Sequence, residues 1–186
     1  NELLASRDVT ILKVGVKGKL IYWELSRDYV LLNMLGMSGC WRVRKAEKHC
    51  DVEVVYDGDK KIWFMDMRHY GTIKVIQKES LRLELAKRGP DVLSSSGVSE
   101  EYFYNLCDKY AHWTMPKLLM DQSKLSGIGN YLKSEVMYAA AINPTLPIAA
   151  LDPLRIAKVH EQMHQIPLAA LAKKGVSIRD YSLPDG

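Results

Sequence analysis

What this sequence has little of narrows its class first. No apolar run approaches the roughly 18 residues that a membrane-spanning helix needs, and 26% of the residues are charged, too many for a membrane protein. The 3 cysteines, Cys40, Cys50 and Cys107, are odd in number and widely scattered. Without a C-x-x-C pair they suggest neither a zinc ribbon nor a disulfide framework, and reduced, packed thiols are the expectation. Repeats and low-complexity segments are absent. The first residues, Asn1-Glu2-Leu3-Leu4, lack the basic head and apolar body of a secretory signal, so an intracellular place is expected. The formal net charge of +4 suits a polyanionic partner but does not argue for one alone.

What is present divides into two patterns. The segments 9–16, 20–25, 29–35, 40–44, 52–56, 62–65 and 72–76 are short and rich in β-branched and aromatic residues. Turn material separates them: Ser26-Arg27-Asp28, Gly36 to Gly39 and Asp57-Gly58-Asp59. Closely spaced strands of this kind predict an antiparallel sandwich or barrel. From about Glu79 the period changes. Ser80 to Lys87 reads as a short helix stopped at Gly89-Pro90, and the serine-rich 91–97 reads as the connection between domains. Ser99 then caps a helix to about Lys109, Pro116 suits the first turn of the next, and 131–141 forms another, ended by Asn143-Pro144. Asp152-Pro153 starts the last long helix, which Pro167 is expected to bend or end. The layout is α+β, with a β domain over 1–90 and a helical domain over 91–186.

The stretch "LLMDQSKLSGIGNYLKSE", residues 118–135, is an unusual helix connector. Two glycines flank Ile128 and supply backbone freedom that a plain connector does not need. Tight turns between two helices gather backbone N–H groups into a concave spot that suits a phosphate. Asn130 adds a side-chain donor there, with Lys133 one turn on; a compact helical hairpin with a glycine-permitted turn is the plainer reading.

Met120-Asp121-Gln122 … Gly127-Ile128-Gly129-Asn130-Tyr131-Leu132 … Glu135 resembles the helix–two-turn–helix signature of the Fpg/Nei family of DNA glycosylases (formamidopyrimidine-DNA glycosylase and endonuclease VIII). Further matches lie upstream in the family's order. Leu35-Gly36-Met37-Ser38-Gly39 resembles its L-G-M-S-G turn, and Asp66-Met67-Arg68-His69-Tyr70-Gly71 its D-x-R-R-F-G loop. Gly18-Lys19 resembles its R-[GA]-K strand, and Arg88-Gly89-Pro90-Asp91 its L-G-P-[ED] link. Tyr131-Leu132 leans toward the Nei-like branch.

The resemblance implies an N-terminal antiparallel β-sandwich followed by a helical domain with the helix–two-turn–helix motif. It implies a bifunctional glycosylase/AP lyase of base excision repair that flips oxidised bases out of damaged double-stranded DNA, with single-stranded or bubble DNA as further substrates. A monomer without membrane attachment, working at the nucleoid or nucleus, is expected. Met37, Arg68 and Tyr70 are expected to fill the hole left by the flipped nucleotide: the thioether as an apolar wedge, the guanidinium on the orphaned base, the ring stacked on a neighbour. Tyr70 stands where Phe is usual and preserves stacking. His69 stands where Arg is usual and weakens a phosphate contact. Asn130, Gly129, Lys133 and Lys19 are expected on the DNA backbone, Lys19 also as the catalytic-site lysine near the damaged nucleotide's phosphate. Lys117 fits the family's T-x-x-K spacing with Thr114, though a solvated helix face explains it as well. Gln122 is expected to tie the two turns together.

The family's nucleophile is an N-terminal proline whose amine attacks C1′ and forms a Schiff base, usually followed by a catalytic Glu. Asn1-Glu2-Leu3-Leu4 aligns instead with the end of the family's first helix, so Glu2 is not that Glu. Residues 175–181 resemble the segment before a C-terminal zinc or zincless finger. The chain is therefore expected to be the middle of a longer enzyme, with no cofactor or metal of its own and zinc, where present, in the finger. The alternative is a non-catalytic helix–two-turn–helix module that binds DNA or RNA.

Overall fold

The computed structural model describes residues 9–46, 48–56, 60–94 and 96–172. The expectations for Asn1 to Leu4 and for 175–181 lie outside the described residues. Two compact units emerge, one running to Arg82 and the other beginning at Leu83.

The first unit holds the strands β1 (Ile11–Lys17), β2 (Leu20–Leu25), β3 (Tyr29–Met34), β4 (Cys40–Arg42), β5 (Cys50–Tyr56), β6 (Lys60–Met65) and β7 (Thr72–Gln77). They form two antiparallel sheets, ordered β1-β2-β3-β7 and β4-β6-β5. Each expected strand is present, with ends shifted by a residue or two. Trp23, Leu25 and Leu31 of the first sheet are buried against Trp41, Val54 and Ile62 of the second, the alternate-residue burial of a sandwich. Trp41 tilts against both Trp23 and Phe64, at 5.0 and 5.3 Å between ring centroids. Its indole N–H donates to the Asn33 side-chain oxygen at 3.0 Å, while the Asn33 amide donates to the Thr72 carbonyl at 3.1 Å. The fully buried Asn33 is thus satisfied on both ends.

The second unit contains α2 (Glu100–Lys109), α3 (Met115–Met120), α4 (Asn130–Ala139) and α5 (Pro153–Ala172), after the short α1 (Leu81–Ala86) that straddles the boundary. Ser99 caps α2 by accepting the Tyr102 N–H at 3.2 Å, and Asp152 accepts the Leu154 N–H at 2.8 Å at the start of α5. Phe103, Met115, Leu118, Leu119, Ile128, Val136, Val159 and Met163 form a core closed to solvent.

Two expectations gain detail from the structure. Pro167 does not end α5, which continues to Ala172. Proline removes one helical hydrogen bond, a cost of about 3 kcal/mol, and Pro167 is buried one turn on from Met163. The other concerns the boundary. The segment after Gly89-Pro90 is not a free connection: Gly89 N–H donates to Gln122 O at 3.0 Å, Ser126 N–H to Pro90 O at 2.9 Å and Val92 N–H to Ser126 O at 3.1 Å. The buried Ser126 hydroxyl adds a bond to Gly89 O at 3.0 Å. Residues 89–92 are a strap zipped onto the helical unit, which moves the division upstream into α1.

Candidate nucleic-acid interface

Pairing register decides where the β unit presents its loops. Leu20 pairs with Met34, and Met34 with Thr72. The β1–β2 hairpin, the β3–β4 turn and the β6–β7 loop therefore emerge at one end of the first sheet. Cys40 pairs with Met65, so the turn at 35–39 and the loop at 66–71 are tied at both ends and run side by side. This end collects Lys19, Met37, Arg68, His69 and Tyr70.

Lys19 occupies the hairpin tip, where Gly18 carries the one positive φ, +56°, at the position a type II′ turn gives to glycine. Partial burial lowers the Lys19 pKa from its ordinary value, although the residue keeps an exposed surface. Water displaced around the ammonium disfavours its charged form.

Asp66 holds the two neighbouring loops. Its carboxylate is buried at 1% exposure. Oδ1 accepts from Ser38 Oγ at 2.6 Å and from Arg68 N–H at 3.3 Å; Oδ2 accepts from Gly71 N–H at 2.6 Å. Ser38 Oγ in turn accepts from Arg68 N–H at 3.1 Å. The Ser38 bond, with the Gly71 and Arg68 amides, depresses the Asp66 pKa against the opposing effect of desolvation. Gly36, at φ +69°, allows the close approach: a Cβ there would lie 2.8 Å from the Gly71 nitrogen. On this base Met37 and Tyr70 stand 69% and 65% exposed. Arg68 Nη1 lies 3.7 Å from the Met37 sulfur. His69 adopts φ +54° and places Nδ1 3.3 Å from the Asp51 carboxylate of β5. A non-glycine residue in this region is strained, a feature that concentrates at functional loops.

In the helical unit the connector from α3 to α4 is anchored by apolar residues. Leu125 and Ile128 are fully buried. Gln122 bridges the two turns: its amide donates to Met120 O at 3.2 Å and Ile128 O at 2.9 Å, and its oxygen accepts the Gly127 N–H at 3.1 Å. Gly127 needs to be glycine because its φ is +103°. Gly129, at φ −105° and ψ 179°, does not; its backbone is one any residue adopts. The bare Gly129 precedes α4 without a side-chain cap, leaving the first N–H groups of the helix to an external acceptor. Asn130 is exposed, and Lys133 Nζ donates to its side-chain oxygen at 2.6 Å. That bond turns the Asn130 amide N–H₂ outward as the free donor, next to a positive charge. Lys117 instead lies over the Trp113 ring, 4.1 Å from its centroid.

The structure thus groups the expected residues within each unit: Lys19, Met37, Arg68, His69 and Tyr70 at one end of the sandwich, Gly129, Asn130 and Lys133 around the start of α4. What the motif reading missed is Asp66 as the shared acceptor. A lone acidic residue between Met65 and Met67, at the end of a half-buried strand, was the available signal. Among the described residues no group of three or more His, Cys, Asp or Glu side chains is placed to hold a metal ion, and no helix is long and apolar enough to cross a membrane.

An antiparallel sandwich presenting a latched loop pair and a helical unit whose two tight turns lead into α4 make an α+β protein with two candidate nucleic-acid-facing elements. Residues 89–182 match the formamidopyrimidine-DNA glycosylase H2TH domain, and residues 3–73 match the N-terminal domain of the same enzyme. The chain belongs to the formamidopyrimidine-DNA glycosylase family. It is 28% identical to the formamidopyrimidine-DNA glycosylase of Pectobacterium carotovorum subsp. carotovorum over 100% of this chain and 69% of that relative. Among solved structures it is similar to the Lactococcus lactis Fpg in complex with DNA containing an abasic site, at TM-score 0.81 and 25% identity, over 92% of this chain and 64% of that one. The complex of the wild-type Lactococcus lactis enzyme with N7-benzyl-Fapy-dG-containing DNA gives TM-score 0.80 and 25% identity, over 92% and 65%. The chain spans roughly two thirds of the length of these relatives.

Proposed function

We propose that this chain serves a base-excision-repair DNA glycosylase with AP-lyase activity that binds damaged duplex DNA and excises oxidised bases, cleaving the abasic strand through a Schiff base. The observation that carries the reading is the latched loop pair, which holds a thioether, a guanidinium and a phenol ring out into solvent on a rigid base. Exposed side chains of these three chemistries, fixed together, suit the gap left when a nucleotide leaves the stack. Met37 enters the base step, Arg68 hydrogen-bonds the orphaned base and Tyr70 stacks on its neighbour. Asn130, Gly129 and Lys133 take a backbone phosphate at the start of α4, and Lys19 with His69 takes phosphates at the sandwich end. The exposed Lys19 at the hairpin tip offers an ammonium to a phosphate near the reacting sugar. The Schiff-base amine is assigned to none of the described residues, and a zinc finger, where present, would also lie outside them. A monomer acting on double-stranded DNA, with bubble or single-stranded DNA as further substrates, completes the reading, and Tyr131-Leu132 favours the Nei-like branch.

Borohydride reduction of the full chain mixed with a duplex bearing an oxidised base tests the chemistry: a covalent protein–DNA adduct is expected. Binding without an adduct would favour the non-catalytic module, whose helix–two-turn–helix unit is complete without a nucleophile. Asn130→Ala is expected to weaken binding to damaged and intact duplex alike by about tenfold to a hundredfold, the scale of one charge-assisted phosphate contact. Unchanged binding would remove the start of α4 from the interface.

A further inference from the structure

We infer that Asp66 is a positioning residue for lesion recognition: its carboxylate fuses the Met37 turn and the Arg68–Tyr70 loop into one preorganised wedge. The inference rests on the reading of those three side chains as gap fillers.

Three donors from two chain segments converge on this one group. Ser38 Oγ–H comes from the β3–β4 turn, and the Arg68 and Gly71 N–H groups from the β6–β7 loop. Ser38 spends its proton on Asp66 and then accepts the Arg68 N–H itself. The hydroxyl therefore completes a closed circuit between the turn that carries Met37 and the loop that carries Arg68 and Tyr70. An ionised carboxylate, with acceptors and no donor, takes all three donors at once. An amide of the same shape would either set an N–H against the Gly71 N–H or, flipped, turn its N–H₂ toward the Arg68 N–H and end the bond donated by Ser38. The exposed side chains make few contacts of their own to hold them, so their relative placement is inherited from the carboxylate beneath. A wedge that enters a base step must be in place before the nucleotide leaves, because ordering it afterwards subtracts from the binding free energy. Plain duplex, with no gap to fill, makes no such demand.

The test is a ratio of affinities measured by fluorescence anisotropy on the full chain, with a duplex carrying a tetrahydrofuran abasic analogue and the same duplex intact. Asp66→Asn is expected to lower the preference for the abasic duplex about tenfold, the factor for one misplaced buried hydrogen-bonding group. Ser38→Ala, which removes one donor without introducing a conflict, is expected to lower it in the same direction by less. Asn130→Ala lowers both affinities and leaves the ratio in place, which separates wedge positioning from backbone contact. Circular dichroism and melting of each variant establish that it is folded; if Asp66→Asn is not, Ser38→Ala carries the test. Unchanged ratios in folded variants of a parent that prefers the abasic duplex overturn the inference alone. A parent with no preference overturns both the inference and the function it rests on.

Discussion

The two candidate DNA-facing elements solve one problem with opposite chemistry. In the β unit a buried carboxylate gathers donors from two loops; in the helical unit a neutral amide, Gln122, gathers both carbonyls and an N–H from two turns. The difference follows from the polarity of the partners. The loops beneath Met37 and Tyr70 present N–H and O–H groups, which an anion satisfies at once. The turns before α4 present Met120 and Ile128 carbonyls as well as the Gly127 N–H, which only a group with both donor and acceptor can serve. The apolar support differs too. Ile128 and Leu125 pin the helical turn into a closed core, whereas the β loops stand over half-buried strand ends and depend more on their polar latch.

The comparison is sharpest where it can be broken. Ile128→Ala should cost the most, about 2–5 kcal/mol in urea unfolding, because a fully buried side chain leaves a cavity. Isosteric exchanges come next. Asp66→Asn and Gln122→Glu should each cost about 1–3 kcal/mol, one by setting donor against donor and the other by setting a carboxylate against carbonyls. If both exchanges were neutral by denaturant titration, partner polarity would not be what selects the two residues. Loss of the α2 cap in Ser99→Ala should be smaller, about 1 kcal/mol in the same measurement.

Acid separates the two latches without mutation. The Asp66 pKa lies below its ordinary value of 3.8 in the folded chain, so its contribution to stability is complete above that value. It is lost as pH falls from there through the lower folded value. The stability difference between parent and Asp66→Asn should therefore stay constant from neutral pH down to about 5 and shrink below 3.8. The Gln122 amide does not titrate in this range, so the Gly127 amide resonance that it holds should not follow this change. The smallest effect concerns reactivity: burial pushes the Cys107 thiol pKa up to about 12, so Cys107 should resist thiol reagents in the folded chain and label only on unfolding.

Much of this was readable before the fold. The alternating β-branched and aromatic runs located every strand, and Ser99, Pro116 and Asp152-Pro153 located helix starts, because these signals act on neighbours a few residues away. The quoted motifs singled out the two loops and the turn before α4. The reading fell short where a distant partner added to a local signal. The helix stop at Gly89-Pro90 holds, but the connection expected after it begins as backbone hydrogen-bonded to residues 122–126. Pro167 was expected to bend or end α5; it is buried, and the helix continues to Ala172.

The sequence by itself determined the α+β order and the strand and helix positions, since periodicity, capping and turn chemistry are properties of short stretches; the side chains expected to meet a nucleic acid came from the resemblance of its motifs to the family's. Only the tertiary structure decided the sheet order β1-β2-β3-β7 and β4-β6-β5, the placing of loop tips at one end, and the role of Asp66. Each of these depends on groups far apart in the chain, such as Ser38 and Asp66, whose meeting is set by strand register and not by any local pattern.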